Sequence, residues 1–186
     1  SLLENEYHLL VKTPEANLSR FMRQVDGLYT QNYQKLKKAD GSIFKARYKS
    51  VLFQADRYLL PLSRYLHSLP AKPRSWRWSS LSAYLGGQKG RAGAASVEIG
   101  LVRHEVLAYL GGIRATNRYA TYMEEGCDEE LLRFFGKKNQ LSILGDDKFR
   151  NKAKVALNPA STRGISKGAM GRKRPSLDKI VKLVAD

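Results

Sequence analysis

The spacing of apolar residues changes several times along this chain, and each change predicts an element. Leu2-Leu3 precedes the stretch ENEYHLLV and Leu9-Leu10-Val11 ends it, and together they predict an opening strand. Glu6 and His8 flank Tyr7 there. Residues i and i+2 of a strand share a face, so an acid and an imidazole would stand side by side. Thr13-Pro14-Glu15 then reads as a helix start, with a hydroxyl cap, a first-turn proline and an early acid. Leu18, Phe21, Met22, Val25, Leu28, Tyr29, Tyr33 and Leu36 follow as one stripe of helical period. The other face carries Arg20, Arg23, Gln24 and Lys35, and Lys37-Lys38-Ala39-Asp40-Gly41 ends the helix in a turn.

From Ile43 to Phe53 (IFKARYKSVLF) the pattern switches to alternation and predicts a strand or hairpin arm. Lys45, Arg47 and Lys49 fall on one face of it. That face is either solvated or in contact with phosphates. Asp56 is read as the cap of a second helix, striped by Tyr58, Leu59, Leu62, Tyr65, Leu66 and Leu69. Pro61 sits badly in its interior. After Pro70 and Pro73 come Trp76, Trp78 and Tyr84 beside Arg74 and Arg77, a packing cluster or a platform for bases. Residues 86–96 are rich in Gly, Ala and Ser and predict a loop. Residues 97–110 and 117–123 read as helices, and Glu124, Glu125, Asp128, Glu129 and Glu130 as a solvated acidic helix end without metal-ligand spacing. Residues 160–174 hold five basic residues and no acid, a basic linker. Ser176 then caps a last helix with Leu177, Ile180, Val181 and Val184 on one face.

Charge sharpens this outline. The 186 residues carry 33 Lys and Arg against 17 Asp and Glu, a net charge of +16. Such an excess points to a polyanionic partner, most often nucleic acid. Cys127 is the single cysteine, so an intrachain disulfide is excluded and a reducing cytoplasm fits. No apolar run approaches a membrane span, and no signal peptide is visible. The chain begins with Ser1 and enters an apolar run at once, which suggests sequence upstream of it.

Several of these segments resemble one family in order and spacing. ENEYHLLVKTPEANLSRFMRQVDGLYTQNYQKL is similar to the middle of the REP-associated tyrosine transposases, members of the HUH superfamily that act on single-stranded DNA. DGSIFKARYKSVL resembles their glycine–phenylalanine–arginine–tyrosine strand, and YLLPLSRYLHSLP their nucleophile helix. WSSLSAYLG and QLSILGDDKF resemble later landmarks, and RPSLDKIVKLVAD the first helix of a DnaA-type helix-turn-helix. The likeness covers most of the chain. It implies an α+β, ferredoxin-like fold with an antiparallel sheet, followed by C-terminal helices. It divides the chain into a partial transposase domain (1–86), a helical extension (87–159), the basic linker (160–174) and the start of a helix-turn-helix (175–186). The family places a strand, a helix and a further strand ahead of this region, so the resemblance implies an internal fragment or the product of a decayed gene.

The family's chemistry implies roles for individual residues. A strand presents histidine–hydrophobic–histidine to a divalent metal, and a helix tyrosine attacks phosphorus to form a 5′-phosphotyrosine. Position by position, Tyr65 is then the nucleophile, His8 the second metal histidine and Glu6 the replacement of the first. A carboxylate at position 6 suits Mg²⁺ or Mn²⁺. Leu69 stands where the family has a polar ligand and cannot bind metal. His67, two residues from Tyr65, projects from roughly the opposite side of the helix. Lys45 stands where the family usually has glutamine, and Pro61 is a further departure. DNA contacts are expected from Arg20, Arg23, Lys45, Arg47, Lys49, Arg64, Arg74 and Arg77. The expected partner is single-stranded or hairpin DNA, bound by a monomer or homodimer in the bacterial cytoplasm at the nucleoid, with no membrane. Two other outcomes remain open: a hairpin-binding relic that does not cut, and a basic RNA-binding protein. By residue pattern alone, Tyr65 is a core tyrosine and His8 an ordinary strand histidine.

Overall fold

The computed structural model describes residues 1–38, 40–86, 101–112, 114–137 and 141–157. The residues read as a Gly-rich loop beyond position 86, the basic linker and the last helix lie outside these. The chain divides into two compact units, Ser1–Val11 with Phe53–Leu141, and Lys12–Leu52 with Ser142–Asp186.

The second unit opens with helix α1 (Leu18–Lys37). It starts at Asn17 rather than Thr13, because the Asn17 carbonyl accepts the first helical N–H groups, those of Arg20 and Phe21. Lys38 closes it in the left-handed region (φ 50°), donating its N–H to the Gln34 carbonyl. Of the apolar stripe only Met22 is buried, while Phe21, Leu28, Tyr29 and Leu36 remain exposed. The chain then turns back along the helix. Gln34 Nε2 donates to the Gly41 carbonyl, Phe44 packs on Tyr29 at 5.9 Å, and the Tyr48 hydroxyl lies 3.0 Å from Ser19 Oγ. Strand β1 (Leu52–Phe53) begins at the end of this return.

Leu52 donates its N–H to the Ser142 carbonyl, and β1 pairs with β2 (Ile143–Leu144) in a two-strand parallel sheet. A helix at Asp147–Leu157 covers Leu52 and Ile143 with Phe149 and Ala153. The sequence LGDDKF explains that join. A Cβ on Gly145 would come within 2.4 Å of the Phe149 ring, so glycine is required. Asp146 Oδ1 accepts the Phe149 N–H at 2.7 Å, satisfying a donor at the helix start.

The first unit is built around helix α2 (Ala55–Ser68), which buries Tyr58, Leu62, Ser63, Arg64 and His67. Helices α3 (Leu81–Tyr84), α4 (Arg103–Ala108) and α5 (Ala115–Glu124) enclose a core of Leu81, Tyr84, Val106 and Tyr119. Leu59, Leu60, Leu107, Tyr122 and Met123 pack against that core. Helix α6 (Glu129–Phe135) adds Leu131 and Phe134 from its inner face. We label the helix at Asp147–Leu157 of the other unit α7.

The opening run is a tight hairpin and not a continuous strand. Leu3 donates to the Glu6 carbonyl, Leu2 and Tyr7 form an antiparallel bridge, and His8 N–H bonds the Ser1 carbonyl. Bends at Glu4 and Asn5 reverse the chain, and 8–13 has no regular structure. The hairpin is held to the body by Leu2 N–H on the Trp78 carbonyl and by Trp76 Nε1 on the Leu2 carbonyl.

The fold is therefore mixed α and β, but the ferredoxin-like antiparallel sheet is not what the described residues form. Residues 43–51 are pinned to α1 through side chains, with bends at 43–46, so they make no ladder before Leu52. The helix read at 97–110 is shorter where described, Arg103–Ala108, and Gly111 and Gly112 with positive φ follow it. Among the described residues, no helix is long and apolar enough to cross a membrane.

Candidate catalytic and nucleic-acid-binding sites

The hairpin in the first unit sets Glu6 and His8 together, as the i, i+2 spacing required. Glu6 Oε1 lies 3.2 Å from His8 Nε2. That nitrogen is buried and makes no hydrogen bond, so the contact is a close approach and not an aligned bond. Glu6 itself is largely open to water. Tyr65 projects from α2 as a half-buried side chain, its ring stacked on Phe135 at 4.6 Å with 15° between the planes. Burial pushes its hydroxyl above the usual phenol range, and the nearby Cys127 and Glu6 push the same way. The structure thus brings Glu6 into electrostatic range of both His8 and Tyr65. Among the described residues, no group of three or more His, Cys, Asp or Glu side chains is placed to hold a metal ion. Glu6 and His8 offer two donors, and Leu69 offers none.

His67 belongs to a different construction. Its Nδ1 lies 2.7 Å from the Tyr119 hydroxyl, and its Nε2 lies 2.8 Å from Ser80 Oγ. Ser63 Oγ lies 2.9 Å from the Tyr119 hydroxyl and donates its one proton to the Leu60 carbonyl. That fixes the direction of the whole chain. Tyr119 donates to Ser63, His67 Nδ1–H donates to Tyr119, and Ser80 donates to His67 Nε2. Burial lowers the His67 pKa to about 3, assisted by the charge of the Ser1 amine, so the ring is neutral. Burial also raises the Tyr119 hydroxyl. The network is a satisfied polar core that locks α2 to α5, and it leaves His67 unavailable to a metal beside Tyr65. The partners of His67 lie 13 and 52 residues away in sequence, and its place opposite the apolar stripe that holds Tyr65 gave no sign of its burial.

The arginines expected to contact DNA separate into two groups. Arg64 is 5% exposed. Its guanidinium donates to Glu125, Asp128 and the Tyr122 carbonyl at 3.0–3.1 Å and covers the Tyr122 ring at 3.8 Å. This corrects its assignment as a DNA contact: the side chain is committed inside the unit. Arg74 pairs with Glu124 at 2.6 Å on the surface. Arg77 lies over the exposed Trp78 ring at 5.1 Å, whereas Tyr84 belongs to the core. The aromatic cluster thus splits between packing and surface. The acidic patch is the counterpart of these cations, since Glu129 pairs with Arg133 and Glu130 pairs with Arg57.

The second unit is different. Arg20, Arg23, Lys45, Arg47 and Lys49 are all exposed. Among the described residues, none of the five side chains has an ion-pair or hydrogen-bond partner. Arg20 and Arg23 lie on the face of α1 opposite its apolar stripe, as the helical period requires. Lys45, Arg47 and Lys49 alternate with Phe44 and Tyr48, which turn toward the helix. Compared with family models, curated proteins and solved structures, the chain matches none.

Proposed function

We propose that this chain is a DNA-binding protein of the REP-associated tyrosine transposase type, acting on single-stranded or hairpin DNA. The observation that carries the reading is the constellation Glu6, His8 and Tyr65 in one unit, in the order the resemblance assigns. The family reading does not rest on the sheet, of which the described residues supply little. Net charge +16 and the uncommitted cations Arg20, Arg23, Lys45, Arg47 and Lys49 support a polyanionic partner.

Glu6 Oε1 and the buried, unbonded His8 Nε2 suit a hard divalent cation, Mg²⁺ or Mn²⁺. Such an ion would polarise a phosphodiester oxygen. Tyr65 contributes the nucleophilic oxygen, held in place by its stack on Phe135. As its oxygen bonds to phosphorus, the bond from phosphorus to the 3′ oxygen breaks, and the phenol proton, held more tightly through burial, passes by way of solvent to that leaving 3′ oxygen.

A second reading, a hairpin-binding protein that does not cut, is favoured by Leu69 in the ligand position and by the two-donor metal set. The test is a labelled hairpin oligonucleotide with Mn²⁺, run on a denaturing gel. The account expects a metal-dependent covalent adduct, reduced at least about tenfold in Glu6→Ala and His8→Ala. Salt-sensitive binding without any adduct selects the second reading. Tighter binding to structured RNA than to DNA hairpins contradicts both.

A further inference from the structure

We infer that Trp78 is a stacking platform for an unpaired base of the DNA, set beside the hairpin that carries Glu6 and His8. The inference rests on the DNA-binding reading above and gives it a base-binding residue in the same unit as Tyr65.

The two tryptophans of the chain are used in opposite ways. Trp76 is committed to structure: its Nε1 donates to the Leu2 carbonyl at 2.7 Å. Trp78 lends the fold its backbone and not its ring. Its carbonyl accepts the Leu2 N–H at 2.8 Å. The residue is 56% exposed, and its indole N–H has no hydrogen-bond partner among the described residues. A ring of this size left in water forgoes the burial that most tryptophans obtain.

The neighbourhood of the ring selects its occupant. The Arg77 guanidinium lies over it, 5.1 Å from the centroid, as a cation–π pair. An apolar partner covering the indole would have to desolvate that charge. A nucleotide meets both groups, the ring with its base and the cation with its phosphate. The position is equally specific. Leu2 is hydrogen-bonded to Trp78 on one side and bridged to Tyr7 on the other. Adjacent extended chains lie about 4.8 Å apart, so the Trp78 backbone is about 10 Å from that of Tyr7. Glu6 and His8 flank Tyr7 and face each other at 3.2 Å. A base stacked on Trp78 therefore belongs to a nucleotide near the phosphate that Glu6 and His8 would hold.

The test measures binding of a labelled DNA hairpin with a single-stranded tail, by fluorescence anisotropy. Trp78→Ala is expected to weaken binding about 5- to 150-fold, whereas Trp78→Phe keeps an aromatic face and retains most of the affinity. The log–log salt slope should not change in Trp78→Ala, because no charge is removed. An abasic nucleotide placed at each tail position in turn locates the stacked base. At one position it weakens wild type and leaves Trp78→Ala unaffected. Circular dichroism and thermal melting confirm that the variants fold, since alanine retains the carbonyl that holds Leu2. A second readout needs no alanine variant: the tail quenches the tryptophan fluorescence of wild type, and the quenching is lost in Trp78→Phe, where only Trp76 remains. Wild-type affinity in Trp78→Ala, or undiminished quenching in Trp78→Phe, overturns the inference while the DNA-binding reading survives. Wild type that binds no DNA overturns both.

Discussion

Arg64 shows how far a residue's role can lie from its charge. One residue before Tyr65, it joins α2 to the turn between α5 and α6 through Glu125, Asp128 and the Tyr122 carbonyl. Its replacement by methionine removes one side of two ion pairs. Both carboxylates keep access to water, so the loss is smaller than for a fully buried pair. Arg64→Met should cost about 2–3 kcal/mol in denaturant unfolding. A change within experimental error would mean that the bracket carries no stability. Tyr65 beside it has the opposite profile. Tyr65→Phe keeps the stack on Phe135 and should shift stability by less than about 1 kcal/mol.

His67 predicts a pH dependence whose sign follows from its lowered pKa. The unfolded chain takes up a proton near pH 6.5, and the folded ring does so only near pH 3. The contribution of His67 is therefore full above pH 6.5 and declines as pH falls from there toward 3. Between about pH 6.5 and 5 the loss approaches 1.4 kcal/mol per pH unit. Thermal melts of wild type and His67→Gln across that range check it. A wild-type slope no steeper than that of the variant would contradict the neutral, buried ring.

At the scale of elements, α2 is the part most legible in the sequence. Tyr58, Leu59 and Leu62 recur at helical spacing and are buried or packed against the core. Pro61, the seventh residue of the helix, cannot donate to the Arg57 carbonyl. Pro61→Ala should stabilise the chain by about 1–3 kcal/mol, and a lower melting temperature would show that the proline fits a local bend. The extended segments were legible only in part. Alternation at 43–51 looks the same whether a neighbouring strand or a helix accepts the inward residues. Here α1 accepts them, so the alternation survived and the ladder did not. The opening run failed for a related reason: Glu4-Asn5 makes a turn inside an apolar pattern. The i, i+2 relation of Glu6 and His8 outlasted that error, because it is local.

At the scale of the whole molecule, net charge pointed to a polyanion, but it could not say which cations are free to meet one. Acids 50 to 73 residues away neutralise Arg57, Arg64 and Arg74 in one unit, a pairing no local pattern reveals. In the other unit the side chains of Arg20, Arg23, Lys45, Arg47 and Lys49 have no ion-pair partner among the described residues. The proposed function requires both free cations and a tyrosine able to bond covalently to DNA. The most direct measurement is mass spectrometry of the protein after incubation with a single-stranded hairpin and Mn²⁺, with Tyr65→Phe alongside. The account predicts a nucleotide mass on the peptide containing Tyr65, absent from Tyr65→Phe. An adduct on another residue, or one that persists in Tyr65→Phe, would contradict it.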